Sequence, residues 1–389
     1  MYDVVIIGAG IAGLYCGYLL TQRNPKLRIC ILEKESVIGG RASIATFEGV
    51  RVVTGAGIGR KGKDHLLQHL LEELNVPHFE FPSNHYYAKG IIHPMTKYMS
   101  ILTKALGHSN PRQTFKKYAT TILGKEDYET FVTATGYSDF EKADARDVIL
   151  DYNMDDNYKK WTGISIPWDK LGDALADKIG KSHIHLAKDV LRLYEVEDHY
   201  CVVCQDYEIY ETKKVLCATT IESVRALFPE HRIYHQINGQ PFLRVYAKFD
   251  EASDTILKKK VLGFTIVERP LQTIIPMEKG VYMIVYADNA SAVHLMKKVN
   301  NPKYMASKVE KALSLEKGSL NILSLQAHCW SIGTHYNTPL PKAFESREEF
   351  MYKAQRPMAN VWVIGEVVAM DQGWTEGALQ SVQEVIEEI

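Results

Sequence analysis

A chain of 389 residues, 46% apolar and 24% charged, is long enough for two or three domains with ample core, and its composition is that of a soluble globular protein. The net charge of −1 argues against nucleic acid or an acidic membrane surface as partner, and no apolar run reaches the length of a membrane span. Six cysteines with no visible leader point to reduced thiols in the cytoplasm.

The chain opens on Asp3-Val4-Val5-Ile6-Ile7 and passes directly into Gly8-Ala9-Gly10-Ile11-Ala12-Gly13. A second apolar run, Ile29-Cys30-Ile31-Leu32, ends at Glu33. Strand, tight turn, helix, strand and acid in this order form a dinucleotide-binding fingerprint. Gly8 permits the sharp turn, Gly10 lets a pyrophosphate approach the backbone, and Gly13 lets the helix lie close to the strand. The first helical amides have no intrahelical partner and favour an anion. Glu33, twenty positions after Gly13, can accept from both hydroxyls of an adenosine ribose and would repel a 2′-phosphate.

Lys34 follows, and then Gly39-Gly40-Arg41, a bend beside the dinucleotide with a guanidinium for the pyrophosphate or the distal ring. Val52-Val53-Thr54-Gly55-Ala56-Gly57-Ile58-Gly59 reads as a short strand opening into a loop whose backbone can lie against a flat ring. Residues 64–75 read as a helix with Asp64 at its N-cap. From 79 to 162 the pattern predicts a mostly helical insertion, one that could also serve as an oligomer interface. Trp168–Ile179 then looks helical and Ile184–Leu186 extended. Val190–Glu195, Tyr200–Gln205 and Glu208–Tyr210 suggest a small antiparallel ribbon, followed by a separate buried strand at 214–219 and a helix at Ile221–Leu227. Cys201 and Cys204 point to opposite sides of their strand, so a metal or redox pair fits poorly; His183 and His185 lack a third ligand, and no metal is expected. Residues 241–249 and 281–287 alternate as strands of a second sheet, with helices at 290–299 and 303–314.

The last sixty residues return to the opening theme. Asn360-Val361-Trp362-Val363-Ile364-Gly365-Glu366 is another buried strand ending at a glycine and an acid. Gln372-Gly373-Trp374-Thr375-Glu376-Gly377-Ala378 leads into a terminal helix. Its N-terminus would aim amides at the second half of a cofactor. A dinucleotide held from both ends of the chain suggests FAD rather than NAD.

Together, Gly8–Gly13, Glu33-Lys34, Gly39-Gly40-Arg41 and Gly365-Glu366 with Gly373–Ala378 resemble the flavin-containing amine oxidase superfamily. The resemblance implies an α/β fold: a Rossmann-like, glutathione-reductase-like FAD-binding domain (1–78, 163–238 and 330–389) with an inserted α+β substrate domain (79–162 and 239–329). It implies that Glu33 binds the adenosine ribose, Arg41 the phosphates or flavin, the Val190 backbone the adenine, and Glu366 the ribityl-diphosphate region. Trp374 stands where the family usually has a tyrosine, and Trp330–Tyr336 resembles the loop supplying a second aromatic, so Tyr336 and Trp374 would wall the flavin face. Arg244 falls where the family carries a lysine. It cannot act as a base, but could hold a water, pair with a substrate carboxylate or stabilise anionic reduced flavin. His335 occupies the place of a flavin-linking cysteine; noncovalent FAD is the expectation.

The function so implied is oxidation of a small-molecule amine, by hydride transfer to flavin N5 and reoxidation by O2 to H2O2. A same-fold oxidase acting on C–C bonds, and a catalytically weak FAD-binding structural protein, are the alternatives.

Overall fold

The computed structural model describes residues 1–389. Its first sheet runs in the order Val190–Val196, His199–Cys204, Ile209–Cys217, Tyr2–Ile7, Ile29–Leu32, Ile184–His185, and Val361–Val363 also pairs with Ile209–Cys217. Tyr2–Ile7 sits between two parallel neighbours. Its continuous apolar run has a direct cause. Val4 and Ile6 face one core, with Leu14, Trp168 and Leu379, while Val5 and Ile7 face another, with Val215, Val363 and Phe350. A strand covered on both faces leaves no position for a polar residue. The helices Ile11–Arg23, Trp168–Ile179 and Thr375–Gln383 pack together over the first of these cores.

The ribbon strand and the buried strand expected separately near 208–219 are one strand, Ile209–Cys217. It pairs antiparallel with His199–Cys204 on one side and parallel with Tyr2–Ile7 on the other. Polar Glu211, Thr212 and Lys213 interrupt the apolar pattern without interrupting the backbone ladder.

The second sheet runs Ile322–Asn337, Ile237–Phe249, Val281–Asp288, Thr273–Pro276, Phe264–Ile266, His85–Tyr87. Leu243, Val245 and Ile284 face a core shared with Leu257, Leu295 and Val309 from the helices behind it. The insertion is helical over Met95–Leu106, Phe115–Leu123, Lys125–Thr135 and Ala145–Leu150, packed around Phe115, Phe131 and Phe140. It leaves and returns through adjacent antiparallel strands, Phe79–Ser83 and Trp161–Ser165. No helix is long and apolar enough to cross a membrane.

Trp330–Tyr336, expected as a loop, is the end of the sixteen-residue strand Ile322–Asn337. Opposite it, Gln240 pairs with Thr334 and Phe242 with Trp330, so Ser331, Ile332 and Gly333 bulge against Pro241 alone. Proline offers no N–H to the ladder, which makes this a natural place for a bulge.

Candidate active site

A cavity of about 1260 Å³ runs between the two sheets. One end is lined by Gly10, Ile11, Ala12, Gly39 and Arg41, the middle by Gly55, Ala56, Gly57, Ile58, Glu366 and Thr375, and the remainder by Trp374, Trp330, Tyr286, Phe242 and Arg244.

The three glycines of the opening motif are used differently. Gly8 has φ of +105°, and a Cβ there would come within 2.5 Å of the Ala218 carbonyl. A Cβ on Gly13 would stand 1.9 Å from the Gly8 carbonyl oxygen, so the helix could not approach its strand with any other residue. Gly10 is the opposite case: a Cβ there would meet nothing within 4 Å, because the residue faces open cavity. Glu33 is buried beneath this turn, accepting from the amides of Ala9 at 2.7 Å and Glu35 at 3.0 Å. Two of about four acceptor positions are thus used. Lys34 is exposed, within 3.9 Å of Glu35. Gly40, at φ +54°, packs beside the Cα of Gly10.

Glu366 is a junction. It accepts from the His335 amide (2.8 Å), the Gly373 amide (2.8 Å), His335 Nδ1 (2.5 Å) and Arg41 Nη1 (3.0 Å). Burial opposes its ionisation, but His335 and Arg41 outweigh that and hold the carboxyl well below the usual range. Burial likewise pushes the His335 imidazole down. The Ile221 amide donates to His335 Nε2 at 3.1 Å, so that nitrogen carries no proton and the ring is neutral with its N–H on Nδ1. Both ring nitrogens are engaged, which leaves His335 no free atom for a link to flavin.

Tyr336 does not line the cavity. It is half-buried and pairs with Asn238 on the neighbouring strand. Trp330 and Thr334 line the cavity, which does not extend to Tyr336 two residues further on; Trp330 takes the wall position instead, its indole N–H donating to the Thr54 carbonyl at 2.8 Å. Val190 also lies outside the lining, half-buried against the second core at a register shift of its strand.

Sequence reasoning missed the support under Trp374. The guanidinium of Arg60, 1% exposed, lies 3.8 Å from the centre of the Trp374 ring. It pairs with Asp64 at 2.6 Å, Asp371 at 2.7 Å and Asp156 at 3.3 Å. Asp64 occupies the N-cap position of helix His65–Glu73 without capping it, because its carboxylate is turned to Arg60. Glu376 from the far end of the chain caps instead, accepting from the amides of Leu66 and Leu67 at 2.9 and 3.0 Å. Asp139 and Tyr137 on the cavity wall were missed as well. Both come from the insertion, where no local motif marks them.

Residues 6–74, which hold the opening motif, match the NAD(P)-binding Rossmann-like domain family. A stretch of 43 residues is 56% identical to the mitochondrial L-2-hydroxyglutarate dehydrogenase of Dictyostelium discoideum, covering 11% of this chain and only 10% of that protein. At the level of the whole chain, the wild-type putrescine oxidase bound to putrescine aligns with a TM-score of 0.77 at 14% identity, covering 100% of this chain and 98% of the other. A variant from a redesign of cofactor binding in putrescine oxidase gives 0.77 at 13%, with the same coverage. The chain therefore has an α/β fold with an N-terminal Rossmann-like unit. More particularly, its fold is that of putrescine oxidase, as the motif resemblance implied.

Proposed function

We propose that this protein is an FAD-dependent oxidoreductase that oxidises an amine. The observation that carries the reading is the continuity of one cavity, from the glycine turn to an aromatic chamber. The open space over Gly10, the free amides at the start of helix Ile11–Arg23 and the Arg41 guanidinium fit a pyrophosphate. Glu33 would hold the adenosine ribose, and the backbone of Gly55–Ile58 would lie against the ring. When bound, FAD supplies the two-electron acceptor for the amine's hydride, with O2 reduced to H2O2 as the final oxidant. The amine loses two electrons and two protons to become an imine, and O2 gains both. Trp374 and Trp330 would exclude water and hold the reacting carbon in place.

The test is the absorption spectrum of the purified protein before and after acid precipitation, followed by a peroxide assay with a panel of amines. Flavin should appear in the supernatant, and one amine should yield peroxide. Arg244, standing where the resemblance calls for lysine, favours a second reading: a flavoprotein kept for binding or structure, with FAD as a folding cofactor. A yellow protein bleached by no amine, unsaturated-precursor lipid or porphyrin would select it.

Two variants probe the two ends of the cavity. Glu33→Ala should lower FAD affinity roughly tenfold or more, since a hydrogen bond to a charged group contributes about 1.5–3 kcal/mol. Unchanged flavin content after gel filtration would refute the assignment. Trp374→Ala should leave FAD bound but slow its reduction by substrate on the order of tenfold; an unaltered rate in rapid mixing would remove Trp374 from the site.

A further inference from the structure

Arg244 is 3% exposed and lines the cavity, yet its charge has no anionic partner. Its Nη1 meets only the Met283 sulfur at 3.6 Å, its Nε has no hydrogen-bond partner, and its guanidinium lies 4.0 Å from the centre of the Tyr286 ring. Arginine cannot shed its proton to escape burial, and an isolated buried charge is costly. The other deeply buried arginine beside the cavity, Arg60, has three carboxylates around it. Arg60 is thus satisfied by the protein, and Arg244 is left for something that enters.

The surroundings define what enters. Tyr286 packs edge-on against Tyr137 and tilted against Phe242, and Phe264 lies against both tyrosines. A single cationic fork in an aromatic chamber suits the carboxylate of a small organic molecule, which accepts from two guanidinium N–H groups at once. Asp139, two residues beyond Tyr137, lines the same cavity and is held by the Tyr152 hydroxyl at 2.6 Å. Burial, with Asp288 nearby, pushes the Asp139 carboxyl up to about 7, so an entering ammonium would draw it into the charged form. We infer that Arg244 is the seat of a substrate carboxylate, and that the amine oxidised here carries an acidic group. This rests on the flavoprotein reading above and narrows it.

The test uses the flavin-loaded protein and three probes of one shape: benzoate, benzylamine and benzyl alcohol, titrated by calorimetry. Benzoate should bind, benzylamine and benzyl alcohol should bind far more weakly, and Arg244→Met should weaken benzoate about 30-fold or more. Arg244→Lys, which keeps the charge but loses the fork, should fall between. Thermal midpoints control for folding: benzoate should raise that of the wild type and leave the methionine variant unmoved. A yellow wild type that ignores benzoate, or equal benzoate affinity in Arg244→Met, overturns the inference while leaving the flavoprotein reading intact. A lowered flavin midpoint potential in Arg244→Met with unchanged benzoate affinity also overturns it, because the guanidinium would then serve the ring. A colourless protein that refuses FAD sinks both.

Discussion

Glu366→Gln is expected to destabilise the protein by roughly 3–5 kcal/mol, the usual consequence of breaking a buried ion pair. In a chain of this length that corresponds to a fall of about 4–6 °C in the thermal midpoint. The carboxylate joins three segments that are distant in sequence: Arg41, His335 and Gly373. The amide of glutamine keeps the shape and loses the charge. Arg41 then faces a neutral group, and two of the four donors meet an NH2 in place of an oxygen, since each carboxylate oxygen accepts from two. Flavin retention should fall as well, because Arg41 and the Gly373–Trp374 turn are fixed by the same junction. The pH dependence has a definite sign. The folded-state carboxyl is depressed, so its contribution is present above the ordinary carboxylate value and is lost as pH falls through the depressed one. The gap between wild type and variant should therefore narrow below about pH 4. Equal midpoints at pH 7 would show that Glu366 carries no structural charge pairing.

Arg60→Met should cost a similar ~3–5 kcal/mol, by the reverse route. Here the cation leaves, and Asp64, Asp156 and Asp371 remain around an apolar side chain. Lys63 still neutralises Asp156 at 2.6 Å, but Asp64, 1% exposed, has no other cation. In the variant the acids take up protons more readily when folded than when unfolded. Its deficit should thus be smaller at pH 5 than at pH 8. Trp374 loses the guanidinium beneath its ring, so its fluorescence should change in the folded state, before any unfolding. A variant as stable as wild type at both pH values, with unaltered fluorescence, would mean that the Arg60 cluster supports nothing.

The opening motif was readable because its constraints are local. Gly8 is required by its own φ of +105° and Gly13 by the nearby Gly8 carbonyl oxygen, although the space over Gly8 is also closed by the distant Ala218. The helix Trp168–Ile179 was legible for the same reason, its apolar spacing matching the observed bounds. Strand continuity was less legible. Ile209–Cys217 passes from an exposed edge to a buried centre, and its composition changes where its neighbours do, not where it ends.

The aromatic walls show the limit most clearly. Tyr336 and Trp330 are six residues apart on one strand and so belong to the same face by simple alternation. The cavity ends between them, past Thr334, so only Trp330 reaches it, and a sequence pattern says nothing about where a cavity stops. Asp64 was recognised as a helix-start residue, but Arg60 took its carboxylate and Glu376 took over the cap.

By itself, then, the sequence determined the glycine turn, the acid that underlies it and the strands buried on both faces, since steric fit and hydrophobic period act over a few residues. Only the tertiary structure decided which charges are paired. Arg60, surrounded by three acids, and Arg244, surrounded by aromatic rings, are both buried arginines on strands. Their difference is made by groups brought from up to 311 residues away.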